Sequence, residues 1–334
     1  MTTSAAAKWI MFSIALLASL AALAEAPGQP YEYSIVGTAS DAAPAHPGAF
    51  ALALMGGGDD VDEAFKWMIR KSGGGNFVVL RAVGTDAYNG YIYAFGGVAS
   101  VETIIIPSRD AAHDPFVLAR IHAAQALFIA GGDQGDYTNY WQGTPVETAI
   151  HDLVRRHIPI GGTSAGLAVM GQYTFTGLAG SVTSALALSN PYDETITLEH
   201  DFFSLPEMAG LITDSHLERR DRMGRLISFM AGIVNDGWTE TARGIGIDEG
   251  TALLVEDGVA ARVGAGSVYF LRTAGMPKVC KPLTPLTYSN LSVQRLSGAA
   301  TFDMPNWRSD GSANYSISAV EGRLYSSQED GAIY

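Results

Sequence analysis

Three times in the first half of the chain, a short apolar run leads straight into glycine. The runs are residues 50–55, 126–130 and 158–161, and stretches with a helical spacing of apolar residues separate them. Strands that are apolar throughout are buried on both faces, which is typical of a parallel sheet covered by helices. The sequence therefore predicts an α/β fold with a mostly parallel sheet sandwiched by helices.

The glycine turns that follow these runs predict where a ligand would bind. In parallel sheets, ligands bind beyond the carboxyl ends of the strands. Residues 56–60, residues 131–134 and the turn around Ser164 all follow predicted strands. We therefore expect these turns to meet at one edge of the sheet and to form a single site.

The turn around Ser164 has the pattern Gly-x-Ser-x-Gly, with Gly162 and Gly166 at its ends. A sharp strand-to-helix turn needs glycines at these positions because side chains would not fit. Such a turn exposes the serine hydroxyl and aims the next backbone N–H, that of Ala165, at a carbonyl oxygen under attack. The pattern favours a nucleophilic serine, and a tightly packed glycine turn without chemistry is the alternative.

A serine nucleophile needs a base, and histidine is the usual one. Among the seven histidines, His216 stands out because it follows an apolar strand-like run, residues 211–215. A third group should orient the imidazole, and both Asp248 and Glu249 follow the apolar residues 245–247. Either carboxylate is a candidate, and solvated turn acids are the alternative. The order serine, histidine, acid differs from the order in α/β-hydrolases, which counts against an ordinary esterase or lipase.

A cluster of arginines follows His216 in a chain that is otherwise acidic. Lysine and arginine number 21 against 34 aspartates and glutamates, yet four arginines fall close together: Arg219, Arg220, Arg222 and Arg225. Guanidinium groups bind carboxylates through two parallel hydrogen bonds. The cluster predicts a clamp for substrate carboxylates, and a solvated helix face paired with nearby acids is the alternative.

The composition limits the class of protein. The chain has 334 residues, of which 47% are apolar and 16% charged, as in globular proteins. Its formal net charge of −13 argues against nucleic acid as a partner. Cys280 is the only cysteine, so no intrachain disulfide can form.

Residues 1–26 predict a secretory signal. Lys8 precedes an apolar run, and the small residues at 22–26 fit an A-x-A cleavage pattern. A membrane anchor is the alternative interpretation, although the apolar run is barely long enough to span a bilayer. We therefore expect a secreted or periplasmic protein with no membrane association after cleavage.

The rest of the chain divides into three parts. Residues 27–49 are rich in proline, alanine and glycine and predict an extended lead-in. Residues 50–276 carry the α/β pattern and the candidate site residues. Residues 277–334 predict a β-rich carboxyl-terminal extension that packs on the same domain.

Together, these motifs resemble the cyanophycinases, which belong to the serine peptidase group that also contains the α-aspartyl dipeptidases. Five motifs carry the resemblance in register, between about residues 50 and 275: Gly131-Gly132-Asp133-Gln134, Gly162-Thr163-Ser164-Ala165-Gly166, Asp214-x-His216, Arg220-x-Arg222-x-x-Arg225 and Gly246-Ile247-Asp248-Glu249. The resemblance implies a fold similar to class I glutamine amidotransferase domains, usually in a homodimer. It implies no metal and no organic cofactor.

The resemblance also implies roles for individual residues. Ser164, His216 and Glu249 would be the catalytic set. The positions that match substrate-binding positions of the family are Gln134, Asp214, Arg220, Arg222 and Arg225. Family members cleave cyanophycin, a poly-aspartate backbone with arginine on its side chains, and release β-aspartyl-arginine.

The N–H groups of Ala165 and of Gly131 or Gly132 are the expected oxyanion donors. The chain departs from the family at Ser215, where members that turn over the intracellular storage polymer commonly carry glutamine. We count Ser215 among the substrate-site residues.

The sequence thus predicts an exported serine exopeptidase that cleaves cyanophycin or a related aspartate-rich peptide or polyamide through an acyl-enzyme. The products would be β-Asp-Arg-type dipeptides. One alternative is an esterase or amidase of another class, which would not need the arginines. The other is a non-catalytic binding protein, in which Ser164 would not be hydrogen-bonded.

Overall fold

The computed structural model describes residues 28–39 and 50–334. The predicted signal at residues 1–26 lies outside the described residues, as does much of the predicted lead-in at residues 27–49. No helix in the described ranges combines the length and the apolar character that crossing a bilayer requires.

The first half of the chain alternates strands and helices. Its elements are, in order, β1 (Glu32–Gly37), β2 (Ala51–Met55), α1 (Asp62–Ser72), β3 (Asn76–Arg81), α2 (Ala87–Tyr93), β4 (Ser100–Ile105), α3 (Pro115–His122), β5 (Ala126–Ile129), α4 (Gln134–Trp141), α5 (Pro145–Arg155), β6 (Ile160–Thr163) and α6 (Ala165–Ala168). Short 3₁₀ helices lie at Ala111–His113 and Pro206–Met208.

The second half is richer in strands. Its elements are β7 (Tyr173–Phe175), α7 (Ser184–Ser189), β8 (Leu198–His200), β9 (Leu211–Ser215), α8 (Met223–Asn235), β10 (Arg243–Ile247), β11 (Thr251–Glu256), β12 (Val259–Gly264), β13 (Val268–Arg272), β14 (Val279–Lys281), β15 (Thr284–Leu296), β16 (Thr301–Asp303), β17 (Ala313–Val320) and β18 (Arg323–Ser326).

The first sheet contains the predicted parallel strands. Among the described residues its order is β1-β4-β3-β5-β6-β2-β11-β12-β16. The stretch from β4 to β2 is parallel, and antiparallel strands flank it on both sides. Leu52 and Leu54 pack into one core cluster, whereas Ala53 and Met55 pack into another on the opposite face. This two-sided burial explains why β2 is apolar at every position.

A second sheet carries the remaining strands. Within the described ranges its order is β18-β17-β15-β13-β10-β9-β7-β8, with β14 paired to β15. Only the neighbouring pairs β10–β9 and β9–β7 are parallel in this part of the chain. The three turns expected to meet at one edge follow β2, β5 and β6, which are neighbours in the first sheet, whereas β9 and β10, which precede His216 and Glu249, lie in the second. An apolar run predicts a buried strand but not the sheet that the strand joins.

Residues 277–334 contribute to both sheets. Strands β15, β17 and β18 continue the second sheet from β13, while β16 pairs with β12 of the first. The rings of Phe270 in β13 and Phe302 in β16 stack with their centroids 3.6 Å apart. Trp307 meets both rings edge-on. The predicted fold class, including the β-rich extension, is confirmed.

Candidate active site

Ser164 lies in a strained turn between β6 and α6. Its backbone has φ 53° and ψ −112°, which is rare for a residue with a side chain. A Cβ atom at Gly162 would lie 2.7 Å from the backbone of Gly166, and one at Gly166 would lie 2.1 Å from the carbonyl oxygen of Ile129. Both glycines are therefore required for the turn, as the Gly-x-Ser-x-Gly pattern predicts.

His216 faces Ser164 from the end of β9. The Ser164 hydroxyl Oγ lies 2.7 Å from Nε2 of the imidazole, and Nδ1 lies 2.5 Å from Oε1 of Glu249. Because a carboxylate only accepts hydrogen bonds, Nδ1 carries the proton in the neutral ring and Nε2 is left to accept from the hydroxyl. The side chain predicted as the base thus has the tautomer that a base needs.

Burial lowers the pKa of His216 from its ordinary value of 6.5. The hydrogen bond to Glu249 opposes this shift, whereas the positive charges of Arg220 and Arg222 add to it. The imidazole is therefore neutral, and able to accept a proton, at a lower pH than an exposed histidine.

Glu249 and Asp248 turn in different directions after β10. Glu249 contacts the imidazole, whereas Asp248 accepts hydrogen bonds from the backbone N–H groups of Glu218, at 3.0 Å, and Ser267, at 2.9 Å. Burial raises the pKa of Asp248, and these two N–H groups oppose that shift. Of the two candidate carboxylates, only Glu249 is hydrogen-bonded to His216 in the described part of the chain.

Three glycines after β2 pack against this histidine–glutamate pair. A Cβ atom at Gly57 would lie 2.4 Å from Cε1 and Nε2 of His216, and one at Gly58 would lie 2.8 Å from Cβ of Glu249. The carbonyl of Gly56 accepts the N–H of His216 at 2.7 Å. The sequence placed residues 56–60 at the site but did not indicate that their role is close packing on the base. The only signal was the run of three glycines.

A cavity of about 220 Å³ opens beside Ser164. Its lining brings together Gly132, Asp133, Gln134, Ser164, Ala165, Ala168, Gly177, Gly180, Ser181, Ser215, Arg220, Arg222 and Arg225. The predicted site residues from three separate motifs therefore share one cavity. Arg219, at the start of the arginine cluster, is exposed and is not among these lining residues.

The three arginines that line the cavity differ in what they are free to bind. Arg225 is buried and forms a two-pronged pair with Asp214, at 2.7 and 2.6 Å. Arg222 donates to the carbonyl oxygen of Ser215 at 2.9 Å, and burial lowers its pKa to about 10, so it stays charged at neutral pH. The side chain of Arg220 is 52% exposed, with Nε 3.9 Å from Glu249 Oε1.

Asp214 and Arg225 are thus paired with each other, although the sequence grouped both with the substrate-binding residues. Asp214 is only 2% exposed, and both of its oxygens accept from Arg225. The pair fixes the end of β9 against α8. Arg222 also lies within ion-pair distance of Asp214, with Nη1 3.5 Å from Oδ1. Arg220 and Arg222 both line the cavity, and the positive charge of each lowers the pKa of His216.

The remaining predicted residues surround the serine. Ala165, whose N–H is the expected first oxyanion donor, follows Ser164 and lines the cavity, as does Gly132. A Cβ atom at Gly131 would lie 3.5 Å from Cβ of Ser164, so this backbone passes close to the nucleophile. Gln134 stands at the start of α4, with Nε2 3.5 Å from the carbonyl oxygen of Phe175.

Residues 93–263 match the profile of peptidase family S51, and this span contains Ser164, His216 and Glu249. The chain belongs to peptidase family S51. This family match confirms the predicted resemblance, and similar proteins of known name support it. Cyanophycinases of Trichormus variabilis and of a Nostoc species are each 32% identical over 214 residues. The matched region covers 62% of this chain and 66% of each relative.

A cyanophycinase of Synechococcus elongatus is 29% identical over 174 residues, covering 52% of this chain and 49% of the relative. Among solved structures, a peptidase from an acI-B1 actinobacterium superposes with a TM-score of 0.51 at 16% identity. That likeness covers 77% of this chain and 98% of the other. This likeness concerns the fold alone, whereas the site rests on the residues of this chain.

Proposed function

We propose that this chain is a serine exopeptidase that cleaves cyanophycin or a related aspartate-rich peptide and releases β-Asp-Arg-type dipeptides. The observation that carries the proposal is the hydrogen-bonded series Ser164, His216, Glu249, which opens onto an arginine-lined cavity. Membership of family S51 and the cyanophycinase relatives support the same class of chemistry.

In the acylation step, the Ser164 hydroxyl attacks the carbonyl carbon of an aspartyl residue while Nε2 of His216 takes the hydroxyl proton. The N–H groups of Ala165 and of Gly132 or Gly131 stabilise the oxyanion that forms. The tetrahedral intermediate then collapses, the C–N bond breaks, and His216 gives its proton to the leaving amine. An ester between Ser164 and the acyl group remains.

Water completes the cycle by the same route. His216 takes a proton from the attacking water, the ester bond breaks, and the proton returns to the oxygen of Ser164. Glu249 holds Nδ1–H in place throughout and stabilises the imidazolium that forms in each step.

The arginines account for preference for an acidic substrate. Arg220 and Arg222 present positive charge beside the reacting serine, where a free carboxylate of the substrate can pair with them.

The two alternative functions fit the geometry less well. A binding protein that had lost catalysis would not need the Ser164–His216 hydrogen bond of 2.7 Å. An esterase for small neutral acyl groups would not need two cationic side chains at the nucleophile.

A substrate panel tests the proposal directly. Purified protein is incubated with cyanophycin and with α- and β-aspartyl peptides, and released dipeptides are followed by mass spectrometry. We expect β-Asp-Arg from cyanophycin in the wild type and none from Ser164→Ala, which should still bind the polymer because only covalent chemistry needs the hydroxyl. Turnover that persists in Ser164→Ala contradicts the nucleophile, and hydrolysis of neutral esters alone contradicts the substrate class.

We also propose that the protein is exported and works as a homodimer. Export is supported by the composition of residues 1–26, and the dimer by the family resemblance. Cell fractionation with mass analysis of the mature amino terminus tests export, and light scattering of the purified protein tests the dimer. Full-length protein in the cytosol, or a monomer at assay concentration, would contradict the respective proposal.

A further inference from the structure

Helix α8 begins with an unfavourable residue. Its N-cap is Arg222, which has no hydrogen-bond acceptor in its side chain and makes no capping hydrogen bond. Its positive charge also opposes the helix dipole at this end. Helix starts ordinarily use Ser, Thr, Asp or Asn to accept the first free N–H groups. Here the arginine that the proposed function places at the substrate occupies that position.

The missing cap comes from a residue far away in the sequence. The phenol oxygen of Tyr334 accepts the N–H of Met223, the first residue of α8, at 3.1 Å. The same hydroxyl donates to Oδ1 of Asp221 at 2.9 Å. Burial raises the pKa of Tyr334, so the phenol keeps its proton and can donate at physiological pH. One hydroxyl is therefore hydrogen-bonded to both chain neighbours of Arg222, Asp221 and Met223.

Asp221 is the strained link between the two substrate-facing arginines. Its φ of 46° places it in the left-handed region, which residues with a side chain seldom adopt. Its carbonyl oxygen accepts from the hydroxyl of Ser184, and its N–H donates to Glu218 at 2.9 Å. The bond from Tyr334 to its carboxylate completes this hold and keeps that carboxylate engaged away from the neighbouring guanidinium groups.

The segment that carries Tyr334 is itself held on the second sheet. The hydroxyl of Tyr315 donates to the carbonyl oxygen of Ile333 at 2.9 Å, and Gln328 donates to that of Ala332 at 2.7 Å. The ring of Tyr334 meets Tyr269 edge-on, with centroids 5.9 Å apart. These residues lie outside the span 93–263 that matches family S51.

We propose that Tyr334 is a positioning residue that holds the arginine loop, residues 217–222, in its substrate-binding form. It acts through Asp221 and the start of α8 and does not touch the reacting atoms. The inference rests on the proposed function, because the loop matters only if Arg220 and Arg222 bind substrate carboxylates. It gives the β-rich extension a part in substrate binding.

Kinetics of Tyr334→Phe test the proposal, since phenylalanine keeps the ring and removes only the hydroxyl. Tyr325→Phe, on an exposed position of β18, is the matched control. For an aspartyl peptide, we expect Tyr334→Phe to raise KM roughly threefold to tenfold, because both hydrogen bonds of the hydroxyl are lost, with kcat near the wild-type value. The control should match the wild type, and a carboxamide analogue of the substrate should show no rise.

A second background shows whether Tyr334 acts through the arginines. In Arg222→Ala, the further rise in KM from Tyr334→Phe should be smaller than in the wild-type background, because one of the two arginines that the loop presents is gone. An unchanged KM in the single variant, or an equal rise in both backgrounds, overturns the proposal.

Hydrogen exchange separates this inference from the proposed function. If the wild type hydrolyses no aspartyl peptide, the proposed function has failed, and exchange of the amides of residues 217–223 still decides the positioning role. We expect faster exchange there in Tyr334→Phe than in the wild type or Tyr325→Phe. Unchanged protection overturns the proposal whatever the activity.

Discussion

At the scale of single residues, the site depends on how closely backbone approaches the imidazole. Gly57 has φ 86°, and a Cβ atom there would lie 2.4 Å from Nε2 of His216. Ser164 and His216 also have positive φ, at 53° and 52°. The nucleophile and its base are therefore both held in conformations that surrounding contacts must maintain.

Gly57→Ala should lower kcat strongly while the protein stays folded. The added methyl group forces the imidazole away from Ser164, and misplacement by about 1 Å can cost roughly 100-fold in rate. Gly237→Ala is the matched control, because Gly237 also has positive φ, 76°, but faces open space. Steady-state kinetics with thermal melts of both variants give the comparison. Equal losses of activity would mean that backbone strain, and not the clash, is responsible.

Hydrolysis should continue to a lower pH than it would with an exposed histidine as the base, because the pKa of His216 is lowered. Activity falls as pH falls through the pKa of His216, since the protonated ring cannot accept a proton. We therefore expect the acidic limb of kcat/KM to have its midpoint below 6.5, and Arg220→Gln to move it upward by removing a positive charge. Arg219→Gln, an exposed neighbour, should leave the midpoint in place. A downward shift in Arg220→Gln would contradict this account of the pKa.

At the scale of elements, the turn after β10 serves two different purposes. Glu249 orients the base, whereas Asp248 joins the loop after His216 to the start of β13 by accepting from Glu218 and Ser267. The two adjacent carboxylates thus have different roles: one orients the imidazole, and the other holds two segments of backbone together.

Paired substitutions should separate these purposes. Glu249→Gln should lower kcat by roughly 10²–10⁴-fold, because the imidazolium loses its charged partner. Asp248→Asn loses one of its two backbone hydrogen bonds and should cost about 1–3 kcal/mol of stability with a smaller effect on kcat. Turnover assays and urea unfolding of both variants are needed. A larger kcat loss in Asp248→Asn would reassign the third catalytic member.

The sequence predicts elements better than it predicts their partners. Strands β2 and β5 are apolar throughout, and β3 is apolar between its end residues Asn76 and Arg81, because both faces are buried, so pattern alone locates them. The glycines around Ser164 are likewise forced by sterics, which makes that turn recognisable.

Three features could not be predicted from pattern. The pairing of Asp214 with Arg225 depends on how α8 lies against β9, which the spacing of charges does not determine. The assignment of β9 and β10 to a second sheet depends on which neighbours they pair with, since their own residues look like those of any buried strand. The contact of Tyr334 with Met223 spans 111 residues and leaves no local signal.

At the scale of the whole molecule, the extension joins the two sheets through an aromatic cluster. Phe302, in β16 of the first sheet, is fully buried and packs against Phe270, in β13 of the second sheet, and against Trp307. Because Ser164 follows a strand of one sheet and His216 follows a strand of the other, anything that loosens the sheets changes the Ser164–His216 distance.

Phe302→Ala should therefore destabilise the protein by about 3–5 kcal/mol, the usual cost of emptying a buried phenylalanine site. Phe302→Leu, which fills more of the space, should cost less. Urea unfolding gives both values, and Tyr325→Ala, at an exposed aromatic position of β18, serves as the control. A loss no larger than that of the control would mean that the aromatic cluster does not hold the sheets together.

The division of the catalytic set between two sheets has a consequence for biosynthesis. Ser164 leaves the ribosome 52 residues before His216, which in turn precedes Glu249 by 33 residues. A nascent chain that has made only the parallel strands of its first sheet, β2 to β6, carries the proposed nucleophile without its base. The proposed catalytic set is therefore incomplete until nearly three quarters of the chain has been made.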